Sequence, residues 1–200
     1  KDRAQFELLE NLELPVSQVI AAMELRGITV DQKVLEELSL TFNEEVEIAV
    51  NGAYKAAGHE FNVNSPKQLQ VVLFDELKLP KTKKIKTGYT TDADSLQWLL
   101  EETNHPVLQH LMRVREISKL ATTVTGLIEE VKTDSRIHTT LEQTVAATGR
   151  LSSIAPNLQN IPVRTGEGRL IRTAFTVKKP YSQLLTADYS QIEMRIMAHL

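Results

Sequence analysis

Residues 184–200, LLTADYSQIEMRIMAHL, carry the densest chemical signal in the chain and decide its fold class. The apolar run 183–187 reads as a short strand. Ile192, Ile196 and Leu200 then recur at i, i+4 and i+8, the spacing of one face of a helix over 191–200. Asp188 stands at the join. A carboxylate between a strand and a helix is held at a sheet edge, where it can bind a divalent cation. Two-metal phosphoryl transfer needs such a carboxylate, and at least one more. A turn or capping role also accounts for an Asp at this point. Ser190-Gln191-Ile192-Glu193 has the S-x-x-E form, so Glu193 reads as the partner in a capping box, a role compatible with a functional one. The last helix carries no stop signal, and the chain opens on KDRAQFELLE without an initiator Met, so both ends read as internal to a longer protein.

Upstream of this stretch the pattern is helical. Val16, Val19, Ile20 and Met23 share a helical face, with Gly27 as a stop. Asp31 is placed to cap a helix carrying Val34, Leu35, Leu38, Phe42 and Val46, which Gly58 ends. Ser65-Pro66-Lys67-Gln68 reads as a further start, with Ser65 as cap, Pro66 in the first helical position and Gln68 closing a capping box. Lys78, Lys81, Lys83, Lys84 and Lys86, around Pro80 and before Gly88, read as an exposed basic loop. A short helix with Leu96, Leu99 and Leu100 follows, then a long one over 106–131. After Asp134 the residues Thr139, Thr140, Thr144 and Val145 favour strand. Residues 149–168 read as loop with short elements, and 171–177 as another short strand. The expected fold class is therefore α+β, a mostly helical part followed by the start of an antiparallel sheet.

Composition bounds the partners. The 200 residues suffice for one domain or two small ones, and with no cysteine there are no disulfides and no thiolate metal sites. No run of 18 apolar residues is present, so no membrane partner is expected. The formal net charge is −3, but it is unevenly spread. Residues 1–60 hold 12 acids and 5 bases, residues 61–150 hold 11 and 12, and residues 151–200 hold 3 and 6. The basic character lies at the C-terminal end, where an anionic partner would be met.

Several motifs together resemble family A DNA polymerases, the bacterial DNA polymerase I-like group. DYSQIEMR (188–195) resembles that family's motif A, usually DYSQIELR; Met194 for Leu is a mild apolar exchange. TGRLSSIAPNLQNIPVR (148–164) resembles the family's TGRLSSxxPNLQNIPxR nearly residue for residue. FNVNSPKQLQVVLFDEL (61–77) and VREISKL (114–120) resemble its thumb, and LPVSQVIAAMELRGITVD (14–31) its join between exonuclease region and thumb. The resemblance spans nearly the whole chain. It implies an exonuclease end and connection over 1–29, a thumb over 30–136 and the first part of a palm over 137–200.

The resemblance also implies roles. Asp188 would bind both catalytic Mg²⁺ ions and the Tyr189 carbonyl would be a further ligand. Glu193 would be the steric gate that excludes a ribose 2′-OH. Arg150, Asn157, Gln159 and Asn160 would present donors to the minor groove, where purine N3 and pyrimidine O2 recur in every correct pair. Arg164 would lie near the incoming phosphates or the duplex backbone. Arg115 and Lys119, four apart on one helix, and Ser65 and Lys67, at a helix start, would meet phosphates. Lys81, Lys83 and Lys84 would sit at the thumb tip beside the product duplex. Read without the resemblance, the loop is a polar surface loop and the Lys and Arg residues solvate exposed faces. Ala155 and Ala146 depart from the family's Asp and Thr and remove hydrogen-bonding groups.

The expected partners are primer-template DNA, deoxynucleoside triphosphates and the rest of a polymerase chain, with a cytoplasmic, nucleoid-associated location. The family's RxxxKxxxYG fingers helix and its HDE segment do not occur, and no Asp or Glu follows Glu193. The 200 residues are thus expected to be inactive alone. The competing expectation is a non-catalytic, sequence-independent duplex-binding module.

Overall fold

The structure, a computed structural model, describes residues 5–200. Of the expected 1–29 segment, residues 1–4 lie outside the described residues. The chain begins as one helical run: α1 (Phe6–Leu8), a π-helical stretch (Leu9–Glu13) and α2 (Leu14–Arg26). Gly27 ends it at φ +59, and a Cβ there would lie 2.7 Å from the Ile137 carbonyl oxygen, so only glycine fits. Of the four apolar residues expected to share a face, Ile20 is buried while Val19 and Met23 are exposed. This helix therefore lies on the body by a narrow contact.

Strand β1 (Ile28–Thr29) leads into α3 (Gln32–Ala57). Asp31 caps α3 by accepting from the Lys33 amide at 3.1 Å, and Gly58 closes it in the left-handed region. After α4 (Pro66–Gln70) and a second π-helical stretch (Val71–Glu76) come the hairpin strands β2 (Lys84–Ile85) and β3 (Gly88–Tyr89). Helices α5 (Ala93–Thr103) and α6 (Pro106–Glu130) complete the helical part. Ser65 caps α4 as the sequence suggests, accepting from the Gln68 amide at 3.4 Å. The capping box closes differently from expectation. Gln68 Oε1 accepts from the Asn62 amide at 2.6 Å, because the Ser65 amide already donates to the Asn62 carbonyl.

Helices α3 and α6 pack antiparallel along their lengths and carry two cores. At one end Ala49 and Ala53 of α3 meet Leu108 and Leu111 of α6, with Leu73 and Leu99 packed over them. At the other end Leu35 and Phe42 meet Ile117 and Leu127, with Ile137 and Ile171 completing the cluster. Gly52 lets the pair approach: a Cβ there would lie 2.4 Å from the His110 ring. Each of these large side chains contributes about 1.5–3 kcal/mol by leaving water.

The remaining elements are β4 (Arg136–Ile137), β5 (Thr140–Glu142), β6 (Ser152–Ile154), a 3₁₀ turn (Leu158–Asn160), α7 (Gly166–Thr173) and α8 (Ile192–His199). Strand β4 pairs with β1 and β5 with β6, both antiparallel. Residues 28–31 are flanked on their other side by a Val30–Phe175 bridge and by Thr176 N donating to the Thr29 carbonyl at 3.0 Å. Two expected strands are absent. Residues 171–173 close α7 instead, because Thr165 caps the helix and Ile171 and Ala174 bury at helical spacing, which outweighs local β propensity. Residues 183–187 are not a strand and are exposed, with no neighbouring strand among the described residues to complete their backbone hydrogen bonds.

His138 fastens this second part to α2. Its Nδ1 lies 2.7 Å from the Glu24 carbonyl oxygen and its Nε2 lies 3.0 Å from an Asp134 carboxylate oxygen. The Glu24 carbonyl first, and the Asp134 carboxylate second, raise the imidazole pKa above its ordinary 6.5, since only the protonated ring donates to both. The stabilisation is therefore full below pH 6.5 and is lost as pH rises through the higher folded value. Unfolding midpoints in urea are expected to fall across that window in the wild-type chain. His138→Gln is expected to lower the midpoint below pH 6.5 and to flatten its fall above pH 6.5.

Candidate nucleic-acid interface and metal-binding carboxylate

The loop over 148–164 is organised from beneath by two hydroxyls. Ser153, almost fully buried, lies 2.7 Å from Thr139 Oγ1, donates to the Pro156 carbonyl at 3.1 Å and accepts from the Leu158 amide at 3.0 Å. Thr139 Oγ1 also lies 2.8 Å from the Pro156 carbonyl oxygen. Neither residue stood out in the sequence, where each reads as an ordinary strand or loop hydroxyl. Ile161 buries into the second core and pins the far end.

On this frame the predicted donors separate into two groups. Gln159 is engaged inward, its Nε2 donating to the Leu151 carbonyl at 2.9 Å and its Oε1 3.4 Å from the Ser153 amide. Asn157 caps the 3₁₀ turn through Oδ1, which accepts from the Gln159 amide at 2.9 Å, and its amide nitrogen stays at the surface. Asn160 and Arg164 are exposed and make no side-chain hydrogen bond within the described residues. Arg150 is exposed and reaches Glu193 Oε1 at 3.4 Å, across 43 residues of sequence. That exposed pair is weak, but it brings the loop and the helix after Asp188 to one surface.

Asp188 and Tyr189 are both exposed, and the Asp188 carboxylate has no hydrogen-bond partner among the described residues. The capping box expected at Ser190 does not form. Gln191 takes the cap position at φ +53 with no side-chain bond, while Arg195 Nε donates to the Ser190 carbonyl at 2.8 Å. A carboxylate and a backbone carbonyl are hard oxygen donors suited to Mg²⁺. The donor type thus fits, but no cluster of three His, Cys, Asp or Glu occurs among the described residues.

The helical part presents a second basic surface. Lys81, Lys83 and Lys84 are exposed on the β2–β3 hairpin, beside half-exposed Trp98, and Lys81 Nζ stands 5.1 Å from the centroid of the Tyr89 ring. The hairpin is fixed by Thr82 Oγ1 donating to the Thr90 carbonyl at 2.6 Å and by the Tyr89 amide donating to Gln70 Oε1 at 3.1 Å. Lys67 and Lys119 are exposed. Arg115 is placed differently from Lys119: it is half-buried and donates to the Thr91 carbonyl before α5. Burial lowers its pKa, opposed by the Asp92 carboxylate. The Ser65 hydroxyl is occupied as the α4 cap.

A sequence model of DNA polymerase family A matches residues 32–200. DNA polymerase I of Mycobacterium bovis (strain ATCC BAA-935 / AF2122/97) is 60% identical over 193 residues, which cover 96% of this chain and 21% of that protein. DNA polymerase I of Lactococcus lactis subsp. lactis (strain IL1403) is 48% identical over 200 residues, 100% of this chain and 22% of that protein. The POL domain of Pol1 from M. smegmatis, in complex with DNA primer-template and dNTP, is similar with a TM-score of 0.94 at 59% identity, covering 98% of this chain and 35% of that chain. The chain spans about a fifth of the length of the curated relatives it matches.

The buried hydroxyl gives a direct test of the loop frame. Ser153→Ala strands the Leu158 amide and removes two further bonds, so it is expected to cost about 1–3 kcal/mol in urea unfolding. Ser153→Thr retains the hydroxyl and is expected to recover part of that loss.

Proposed function

This chain belongs to DNA polymerase family A, and from that premise we propose that the protein carrying it performs template-directed DNA synthesis, adding deoxynucleotides to a primer 3′-OH in repair and gap filling near the nucleoid. The observation that carries the reading is the meeting of Arg150 with Glu193 beside the exposed Asp188. It supports a single surface on which a primer end tested by the 148–164 loop lies against the carboxylate. Residues 30–136 then serve as thumb and 137–200 as the start of the palm, with 1–29 as the connection before them.

Asp188 and the Tyr189 carbonyl would hold Mg²⁺, two ions in the completed site. Held there, they would supply a lowered pKa for an attacking hydroxyl and neutralisation of phosphoryl charge. The other residues bind and select. Glu193, freed from Arg150 when that guanidinium turns to the primer-terminal pair, would occupy the space of a ribose 2′-OH. Asn157 and Asn160 would test minor-groove acceptors. Gln159 would hold the loop that presents them, and Arg164 would meet phosphates. Lys81, Lys83 and Lys84, with Lys67 and Lys119, would track the duplex backbone without reading sequence. Arg115 and Ser65 would set the local frame for that contact.

A second reading, a duplex-binding module without chemistry, is favoured by the solitary Asp188. Both readings require salt-sensitive binding, and only the first requires catalysis. The full-length protein is expected to extend a primer, with the activity lost in Asp188→Ala, while the 200-residue chain gives no extension because it lacks a second metal carboxylate. A full-length protein that binds duplex DNA but never extends a primer would establish the second reading. Replacing Lys81, Lys83 and Lys84 together by Ala is expected to flatten the slope of log affinity against log salt by about 3, at any DNA sequence, as measured by fluorescence anisotropy.

A further inference from the structure

Arg113 lies on α6 and joins three helices. One guanidinium nitrogen is 2.5 Å from Glu45 Oε2 on α3, and the other is 3.0 Å from both Glu116 Oε2 on α6 and Glu167 Oε1 on α7. Glu45 and Glu167 stand 68 and 54 residues away in sequence. An isolated surface ion pair is worth little, but a planar fork shared by three carboxylates on separate helices fixes direction as well as distance. Burial alone would lower the Arg113 pKa; the bonds to Glu167, Glu45 and Glu116 raise it above its ordinary value, so it stays charged. Glu167 is the most buried of the three acids, at 23% side-chain exposure. Its carboxyl pKa is lowered by its own backbone amide and by Arg113.

What the third arm holds is the end of the 148–164 loop. Glu167 lies in the first turn of α7, three residues after Arg164. Thr165 Oγ1 accepts from the Gly168 amide at 3.1 Å, closing the helix start. Gly168 sits so near the Pro162 carbonyl that a Cβ would be 2.3 Å from its oxygen, and Arg172 Nε donates to the same oxygen at 3.4 Å. Residues 162–168 are therefore one rigid corner. A displacement of Glu167 relative to α6 carries Pro162 and Arg164 with it.

We propose that Arg113 is a positioning residue that locks the α7 corner to the α3–α6 pair, and so sets the aim of Asn157–Arg164 at a primer-template duplex. The proposal rests on the DNA-synthesis reading above. Arg113 touches no DNA in this account; it holds the surface that carries the loop in register with the surface that carries the lysines.

The test uses the full-length protein. Glu167→Ala removes the α7 arm and leaves the Glu45 and Glu116 arms in place. Its KM for primer-template is expected to rise about fivefold with kcat within about twofold of wild type. Glu167→Gln, which keeps a hydrogen bond to the guanidinium, is expected to recover part of the loss. Arg113→Met should raise KM at least as far, and the double variant Arg113→Met/Glu167→Ala no further than Arg113→Met alone. Should Arg113→Met fail to fold, the Glu167 pair still decides. An unchanged KM in Glu167→Ala, with or without a lower melting temperature, would show a merely structural clip and overturn the proposal. A wild-type protein that extends no primer would overturn the DNA-synthesis reading itself, and with it this inference.

Discussion

The antiparallel contact between α3 and α6 is the constraint from which the rest of the structure follows. Neither helix is apolar all round; each carries a stripe, and the two stripes bury against each other and against the elements packed over them. Because the pair is about 25 residues long, it is too long for one compact cluster and forms a core at each end. One core recruits the α4–α5 segment, and thereby the hairpin that displays Lys81, Lys83 and Lys84. The other recruits β1, β4, Ile161 and α7, and thereby the loop over 148–164. The two candidate DNA-facing surfaces are thus attached to opposite ends of one rigid strut. Their separation is set by helix length rather than by any direct contact.

Rigidity near the loop comes from polar rather than apolar packing. A loop that must present polar groups to a ligand cannot bury its own side chains, so its conformation depends on groups below it. Thr139 and Ser153 supply them, taking up the Pro156 carbonyl and the Leu158 amide. Gln159 adds two bonds from within the loop. Each bond contributes only about 1 kcal/mol net, but losing one inside a buried cluster leaves a polar atom unpaired, which costs more. Such a loop holds one shape without a core of its own, as the proposed testing of base-pair geometry would demand.

The local features of this fold were legible in the sequence, and the non-local ones were not. Asp31, Ser65, Gly27 and Gly58 mark helix ends because a cap is satisfied within four residues. Residues 171–177 read as strand from their β-branched content, yet Thr165 and the burial of Ile171 and Ala174 make the first part helix. Residues 183–187 have strand character, but a strand is completed by a neighbour and none lies beside them among the described residues. The same limit governs the site. Arg115 and Gln159 were identified as donors by the motifs they sit in, but whether a donor points outward depends on partners that only the folded backbone brings to it, the Thr91 carbonyl beyond one motif and the Leu151 carbonyl within the other. Arg113 drew none, because its three carboxylates meet only in the folded chain.

The aspartates show why Asp188 is a metal-site candidate of a particular kind. Asp31 and Asp92 cap helices, and Asp134 is held by His138 and the Arg136 amide. Their lone pairs are committed to holding the fold. Asp188 has no such bond among the described residues, nor do the exposed Asp75 and Asp94; what sets Asp188 apart is its place at a turn before a helix whose acidic residue, Glu193, meets Arg150. Two carboxylates so close in sequence could have shared one cation. The Arg150 contact, weak as an exposed pair, instead turns Glu193 toward the loop, and the proposed reading has Asp188 act with a carboxylate from another segment. Under the proposed reading one acid would serve the metal and the other the sugar, so that selection of the nucleotide need not perturb the chemistry.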